Sequence, residues 1–233
     1  MDIIFDLMES MAFAGAAAAT YLAPYGIRLW QERVLRIRCR QNRSLVLTYD
    51  DGPSKELTPS LLNLLSAFEA KATFFLLGKN AAAHPDIVDR IVAEGHEIGC
   101  HSQEHLHPIK TWPCKITRDL EQAYLTLAPW VAENGLYRPP YGKLTLPSWL
   151  QIHRRGATIG WWTIDSGDTF IPLPAPDRAT GAVQRSQGGV VLMHDCKRNP
   201  ECDAFVLTTT EQLLKLAKRE NLSVQRLGEV LTT

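Results

Sequence analysis

The 233-residue chain has no excess of charge of either sign, because 25 lysines and arginines match 25 aspartates and glutamates. Domains that bind nucleic acid usually carry a basic excess, so this balance argues against a polyanionic partner. The chain also lacks internal repeats and low-complexity tracts. Its 45% hydrophobic and 21% charged residues are ordinary for a soluble globular protein and suffice to bury one full-sized core.

Cysteine is scarce, and its five positions are irregularly spaced: Cys39, Cys100, Cys114, Cys196 and Cys202. An odd number without regular spacing argues against the disulfide framework of a small secreted protein. Cys196 and Cys202 are near enough in sequence to pair, but we expect reduced thiols.

No basic residues precede the apolar run Ser10–Ile27, as they would in a signal peptide. Acidic residues come before it, and six arginines follow it between Arg28 and Arg43. The run is 18 residues long and interrupted by Pro24 and Gly26, which is short for a membrane span.

Two interpretations of this N-terminal segment stay open. Residues 1–42 form a helical segment packed on a domain of residues 43–233, or residues 10–43 associate weakly with a membrane. Because basic flanks tend to stay on the cytoplasmic side, we expect a cytoplasmic protein, free or at the cytoplasmic face of the membrane.

After residue 42, short β-rich runs alternate with helical stretches. The predicted strands are Leu45–Tyr49, Thr73–Leu77, Glu97–Cys100, a brief piece before Arg138, Ala157–Ile164, Val190–Met193 and Ser223–Gln225. The predicted helices are Pro59–Ala70, Ala81–Glu94, Ile116–Glu133, Leu146–Arg154 and Thr209–Arg219. Such alternation implies an α/β fold with parallel strands, and about seven units favour a (β/α) barrel over an open doubly wound sheet.

Ionisable residues fall at the ends of five predicted strands. They are Asp50-Asp51, His101, Arg138, Asp165 and His194-Asp195. Active sites of α/β barrels gather at the C-terminal strand ends, so these side chains are predicted to converge.

Two imidazoles, His101 and His105, are spaced i, i+4, and with one carboxylate they make a usual catalytic zinc set that leaves a position open for water. Adjacent strand residues point in opposite directions, so one of Asp50 and Asp51 can ligate a metal while the other transfers protons. His107 lies near enough in sequence to be mistaken for a ligand. Taken singly, these motifs also fit a solvated turn and surface histidines.

Arg138-Pro139-Pro140-Tyr141-Gly142 is a stiff loop that suits presentation of a backbone N–H to a developing oxyanion. Arg138 can also keep a catalytic carboxylate ionised. His194, at the end of a buried strand, is suited to donate a proton near neutral pH, and Asp165 or another carboxylate can tune its pKa.

Together the segments Thr48–Pro53, His101–His105, Arg138–Gly142, Asp165–Asp168 and Leu192–Asp195 resemble, in order, the five motifs of carbohydrate esterase family four, the NodB-homology polysaccharide deacetylases. The resemblance runs from about Arg43 to Glu229. It implies a distorted (β/α) barrel and metal-dependent removal of acetyl groups from N-acetylated sugars, in an N-acetylglucosamine-containing oligosaccharide, polysaccharide or lipid-linked glycan. Another acyl substrate, such as an acetylxylan ester, a formamido-sugar glycolipid or a non-sugar amide, is the alternative.

The resemblance also implies a divalent metal, zinc first and cobalt or another ion second, together with residue roles. The metal ligands would be Asp51, His101 and His105. The catalytic and substrate residues would be Asp50 as general base, Arg138 orienting it, the Tyr141 N–H at the oxyanion, Asp165 beside the catalytic histidine, Leu192 walling the acetyl pocket and His194 as general acid. Thr169 replaces the Trp that commonly follows the second Asp of the fourth motif.

Overall fold

The computed structural model describes residues 2–132, 134–196 and 199–232, and it describes side chains for residue 20 and from residue 22 onward. Eight parallel strands lie in the described part. They are β1 Ser44–Asp50, β2 Thr73–Leu76, β3 Glu97–Cys100, β4 Leu136–Tyr137, β5 Thr158–Ile159, β6 Ile164–Asp165, β7 Gly189–His194 and β8 Ser223–Val224.

Helices connect the strands along most of the chain. They are α1 Asp2–Gln41, α2 Leu57–Ala67, α3 Gly78–Ala83, α4 Pro85–Ala93, α5 Pro113–Leu127, α6 Leu146–Arg154, α7 Asp177–Ser186, α8 Pro200–Glu220 and α9 Leu227–Thr232. Four predicted helices had wrong bounds. Pro59–Ala70 is Leu57–Ala67 in the structure, and Ile116–Glu133 is Pro113–Leu127. Ala81–Glu94 is divided at Pro85, whose ring starts a new helix but cannot continue one. Thr209–Arg219 is the end of a longer helix capped by the Asn199 side chain.

The strands follow the order β5-β4-β3-β2-β1-β7-β6, with β8 beside β1. The sheet curls into a distorted (β/α) barrel, which confirms the predicted fold class. Ala157–Ile164, predicted as one strand, is instead two strands at opposite edges of the sheet. Gly160 lies where the chain crosses between them, and a Cβ there would come within 2.6 Å of the Phe75 ring. The close approach explains why the strand breaks at a glycine.

The core fills both faces of the central strands. Every residue of β1 is buried, as expected for a parallel strand covered on two sides. In α2, Leu61, Leu62 and Leu65 recur at helical spacing and are fully buried in the same hydrophobic core. Strand ends are thereby held rigidly, and the polar residues that follow them share one edge.

Helix α1 packs its C-terminal half on the barrel, where Leu35 and Cys39 join the hydrophobic core. The predicted bilayer contact of Ser10–Ile27 falls partly outside the described side chains, and the division at residue 42 stays a prediction. Among the residues that the structure describes, no helix is long and apolar enough to cross a membrane. No disulfide joins the five cysteines.

Candidate active site

A cavity of about 460 Å³ opens at the C-terminal edge of the sheet. It is lined by residues from the ends of β1, β3, β6 and β7 and from the loops after β3, β4, β5 and β6. They are Asp50, Asp51, His101, His105, Tyr141, Gly142, Lys143, Trp162, Asp165, Thr169, Leu192 and His194. The structure thus brings eight of the nine sequence-predicted site residues to one cavity. The ninth, Arg138, lies buried behind Asp50.

Arg138 is completely buried, and the surrounding groups hold its guanidinium in one orientation. Its Nη1 donates to Asp50 Oδ1 at 2.8 Å and to Thr48 Oγ1 at 2.8 Å, and its Nε donates to the Gly160 carbonyl at 2.8 Å. Burial raises the pKa of Asp50, and the charge of Arg138 opposes that shift. A carboxylate with a raised pKa is a stronger base, and Arg138 fixes its orientation.

Asp51, His101 and His105 place three potential ligand atoms within 4.8 Å of one another. Nε2 of His101 lies 3.4 Å from Asp51 Oδ1, and Nε2 of His105 lies 3.3 Å from the same oxygen. Ligands that share a tetrahedral ion at 2.0–2.2 Å would be about 3.3–3.6 Å apart. The spacing therefore suits a divalent metal.

The protonation of these groups also fits a metal. Asp51 Oδ1 is buried and accepts no hydrogen bond from the described residues. Nδ1 of His101 donates to the Arg138 carbonyl at 2.7 Å, which leaves Nε2 as the lone-pair nitrogen. Burial lowers the pKa of His101 to about 3 and also lowers that of His105, although Asp51 opposes both shifts. Neutral imidazoles and an unpaired buried carboxylate oxygen are the donors that a metal requires.

The loop that carries both histidines is irregular rather than helical. Ser102 Oγ accepts from the His105 N–H at 3.0 Å, and Asp119 on α5 accepts from the Gln103 and Glu104 N–H groups at 3.1 and 3.0 Å. Ser102 and His105 have positive φ, as does Asp51. Each such residue costs about 1–2 kcal/mol of backbone strain, which the surrounding contacts must offset. Asp119 is a supporting residue that the sequence motifs did not reveal.

His194 is held by Asp168, not by Asp165. Asp168 Oδ1 lies 3.0 Å from His194 Nδ1, and Asp168 Oδ2 accepts from the His194 N–H at 2.7 Å. Asp165 Oδ1 instead accepts from the Gly167 N–H at 2.8 Å. The predicted Asp165–His194 partnership is therefore wrong: the loop after β6 turns at Gly167 and directs the later carboxylate of the same motif at the imidazole.

This pairing determines the charge of His194. Burial would lower the pKa of His194, but the hydrogen bond and negative charge of Asp168, together with the charges of Asp50 and Asp51, outweigh it, so the pKa is raised. With Nδ1 held by Asp168, Nε2 is the ring nitrogen left for a substrate. An imidazole that keeps its proton near neutral pH suits a general acid.

A 3₁₀ turn, Pro140–Gly142, forms part of the cavity wall. Tyr141 and Gly142 both have left-handed backbone angles, with φ of 58° and 60°. The centre of the Tyr141 ring lies 4.5 Å from the centre of the His105 ring and 4.7 Å from the centre of the His107 ring. His107 is half-buried and lies outside the metal cluster, next to Lys143.

Trp162 and Lys143 are wall residues that the sequence motifs did not predict, and Thr169 also lines the cavity. The prediction of one strand over residues 157–164 obscured Trp162. The Trp161-Trp162 pair beside the fourth motif could have suggested otherwise, since adjacent extended residues point in opposite directions. Trp161 is buried, and Trp162 faces the cavity.

Comparison with known proteins agrees with this geometry. The sequence profile of the family described as polysaccharide deacetylase matches residues 37–160. The chain belongs to the polysaccharide deacetylase family. It is 30% identical over 176 residues to a peptidoglycan-N-acetylglucosamine deacetylase of Bacillus cereus, covering 75% of this chain and 80% of that protein.

A second relative is the peptidoglycan-N-acetylglucosamine deacetylase PgdA of Listeria monocytogenes, which is 32% identical over 206 residues. That match covers 83% of this chain but 41% of the Listeria protein. The crystal structure of the Bc1960 peptidoglycan N-acetylglucosamine deacetylase superposes with a TM-score of 0.74 at 28% identity, covering 82% of this chain and 89% of that one. The predicted family and enzyme class, a hydrolase that removes acetyl groups from N-acetylated sugars, are confirmed. The family is metal-dependent, and Asp51, His101 and His105 fit that requirement.

Proposed function

We propose that this deacetylase uses zinc, held by Asp51, His101 and His105, to hydrolyse the acetamido group of N-acetylglucosamine residues in a glycan. The observation that carries the proposal is the position of this cluster between two proton-transfer groups, Asp50 and His194, in one cavity. Two imidazoles and one carboxylate are a usual catalytic zinc set, with a fourth position left for water or substrate. Cobalt or another divalent ion is the alternative.

When bound, a divalent cation lowers the pKa of water toward about 7 and polarises the acyl carbonyl. The chain's own residues then move protons and hold charge. Asp50, oriented through Oδ1 by Arg138, accepts the proton of the attacking water. Its raised pKa makes that transfer more favourable.

The departing amine needs a proton, and His194 is placed to supply it from Nε2. Asp168 keeps the imidazole oriented and charged until transfer. The backbone N–H of Tyr141 donates to the negative charge that develops on the acyl oxygen as water attacks. Leu192, at the end of β7, supplies an apolar wall for the acetyl methyl group.

For the substrate, we favour N-acetylglucosamine in a peptidoglycan-like glycan, because the relatives described above are deacetylases of that polymer. A different acyl substrate on the same site is the second candidate. Its support is Thr169, a small residue lining the cavity where the family commonly has Trp, so one wall of the groove is altered.

Acetate release from acetylated chitooligosaccharides, peptidoglycan fragments and acetylxylan, with mass spectrometry of the products, tests both proposals. We expect turnover of the amide substrates, loss of activity on chelation, and recovery on adding Zn²⁺. Turnover of acetylxylan alone would favour the second candidate. Full activity in metal-free protein, or none on any acylated substrate with metal bound, would contradict the mechanism.

We also propose weak association of residues 10–43 with the cytoplasmic face of a membrane. Leu22, Tyr25 and Trp30 are exposed on α1, and the arginines that follow can each add about 1 kcal/mol near an anionic surface. On sedimentation with anionic vesicles, the parent chain should be found in the pellet. A Leu22→Ser, Tyr25→Ser, Trp30→Ser variant should stay in the supernatant. Equal recovery of both in the supernatant would contradict the proposal, and a chain found outside the cytoplasm would overturn its orientation.

A further inference from the structure

Arg28 on α1 reaches the wall of the catalytic cavity. Its Nη1 donates to the carbonyl oxygen of Gly142, and its guanidinium carbon lies 4.8 Å from the centre of the Trp162 ring. Gly142 and Trp162 both line the cavity. Arg28 thus contacts two wall residues from behind, although the family profile begins only at residue 37.

The surrounding residues hold Arg28 in this position. Glu32, one helical turn later, accepts from the Arg28 Nε at 2.7 Å, and the two side chains are only 20% and 18% exposed. Arg28 also stacks 4.9 Å from the ring of buried Trp161, whose Nε1 donates to Gln31 at 2.7 Å. A largely buried guanidinium held on three sides is far more ordered than an exposed arginine.

The turn that Arg28 contacts is one that needs external support. Tyr141 is not a glycine, yet its φ is 58°. A Cβ on Gly142 would lie 2.5 Å from Arg28 Nη1 and 2.5 Å from the Trp162 ring, so these groups close tightly around the turn. A groove of about 280 Å³ lies between α1 and this turn, and Arg28 lines it.

We propose that Arg28 is a positioning residue, which holds the Tyr141–Gly142 turn and Trp162 so that the Tyr141 N–H faces the reacting carbonyl. The N-terminal helix is then a functional part of this active site. This inference rests on the proposed role of the Tyr141 N–H at the oxyanion. Small displacements of positioned groups reduce rates strongly, and complete loss of an oxyanion donor costs about 10²–10³-fold.

The test compares three full-length variants: Arg28→Met, Arg28→Lys and Arg36→Met. Arg36 is exposed on the same helix and serves as the matched control. Hydrogen–deuterium exchange of the peptide spanning residues 139–144, measured without added metal, reports on the turn independently of activity. Steady-state kinetics with zinc restored gives kcat and KM separately, and bound zinc is quantified for each variant.

We expect Arg28→Met to speed exchange in residues 139–144, to lower kcat about tenfold with KM and bound zinc little changed, and to be partly rescued in Arg28→Lys. Arg36→Met should match the parent chain in the exchange of residues 139–144, in kcat and in bound zinc. Unchanged exchange and unchanged kcat in Arg28→Met would overturn the inference. So would a loss that appears as lower bound zinc or faster exchange throughout the chain, because it would indicate general destabilisation.

If Arg28→Met fails to fold, Arg28→Lys decides alone: kcat and local exchange equal to those of the parent chain would overturn the inference. A parent chain that binds zinc but hydrolyses no acylated glycan would contradict the proposed function. In that case the exchange measurement still tests whether Arg28 holds the turn.

Discussion

The two proton-transfer centres, Asp50 with Arg138 and His194 with Asp168, are both ion pairs with a fully buried partner, yet burial acts on them in opposite directions. At the first, burial is the largest influence and raises the pKa of Asp50 despite the nearby cation. At the second, burial would lower the pKa of His194, and the negative charges around it, Asp168 first, more than reverse that effect. Desolvation always disfavours the charged form, so the direction of each pKa shift depends on how strongly the neighbouring opposite charge opposes burial.

The consequence is a site whose two groups are tuned for different tasks. Asp50 remains a base of increased strength, and His194 remains an acid that holds its proton. Their supports also differ. Arg138 is fixed by several acceptors on strands and adjoining backbone, whereas Asp168 lies in the loop after β6. Replacing Arg138 and replacing Asp168 should therefore affect different properties of the enzyme.

The largest effect is expected from Asp50→Asn, which removes the proton acceptor but keeps the metal ligands. It should lower kcat by about 10²–10⁴-fold with bound metal unchanged, as measured by kinetics and elemental analysis. Asp51→Asn is the matched control and should lose metal. Retention of more than about a tenth of kcat in Asp50→Asn would show that another group is the base.

Replacing Arg138 with Met should destabilise the fold, because the Asp50 charge would be left buried without its partner. Breaking such a pair costs about 3–5 kcal/mol, measurable by urea unfolding. Lys215→Met, which breaks an exposed ion pair with Glu211 on α8, should cost less than about 1 kcal/mol. Equal losses in the two variants would mean that the Arg138 pair contributes no more than a surface contact.

Arg138→Met also tests the acid limb of the pH profile, which is the fall in activity at low pH. Asp50 acts when deprotonated, so activity falls as pH drops through its pKa. Arg138 opposes the upward shift of that pKa, and its removal should raise the pKa further. Any remaining activity of Arg138→Met should therefore have its acid limb at higher pH. An acid limb at lower pH would contradict the role of Asp50 as the general base.

Asp168→Asn should alter the basic limb instead. His194 acts when protonated, so activity is lost as pH rises through its raised pKa. Removing the Asp168 charge should lower that pKa, and the basic limb should move to lower pH. The measurement is kcat against pH, and an unmoved limb would mean that the acid is not His194 or that Asp168 does not tune it.

The smallest effect is expected from Asp165→Asn, although Asp165 belongs to the same motif. Its Oδ1 accepts from the Gly167 N–H, and an asparagine oxygen can accept the same bond. The basic limb should stay where it is in the parent chain. A shift as large as that of Asp168→Asn would restore the original pairing of Asp165 with His194.

The amino-acid sequence by itself determined much of the fold and the set of site residues. Alternating strands and helices predicted the barrel, because parallel strands need helical crossovers. Ionisable residues at the ends of β1, β3 and β7 predicted a site at that edge, and the structure gathers them there. The five motifs, in their order along the chain, were enough to predict the family. Each motif lies next to a buried strand, and the packing of the core determines where that strand lies.

Only the tertiary structure decided the contacts that depend on loop paths. Whether Asp165 or Asp168 meets His194 depends on the turn at Gly167, and three residues of spacing do not determine the direction of a side chain in an irregular loop. The break at Gly160 likewise arises from its approach to Phe75, a residue far away in sequence. Arg28 approaches Gly142 across 114 positions, a distance over which local pattern carries no information about which residues meet.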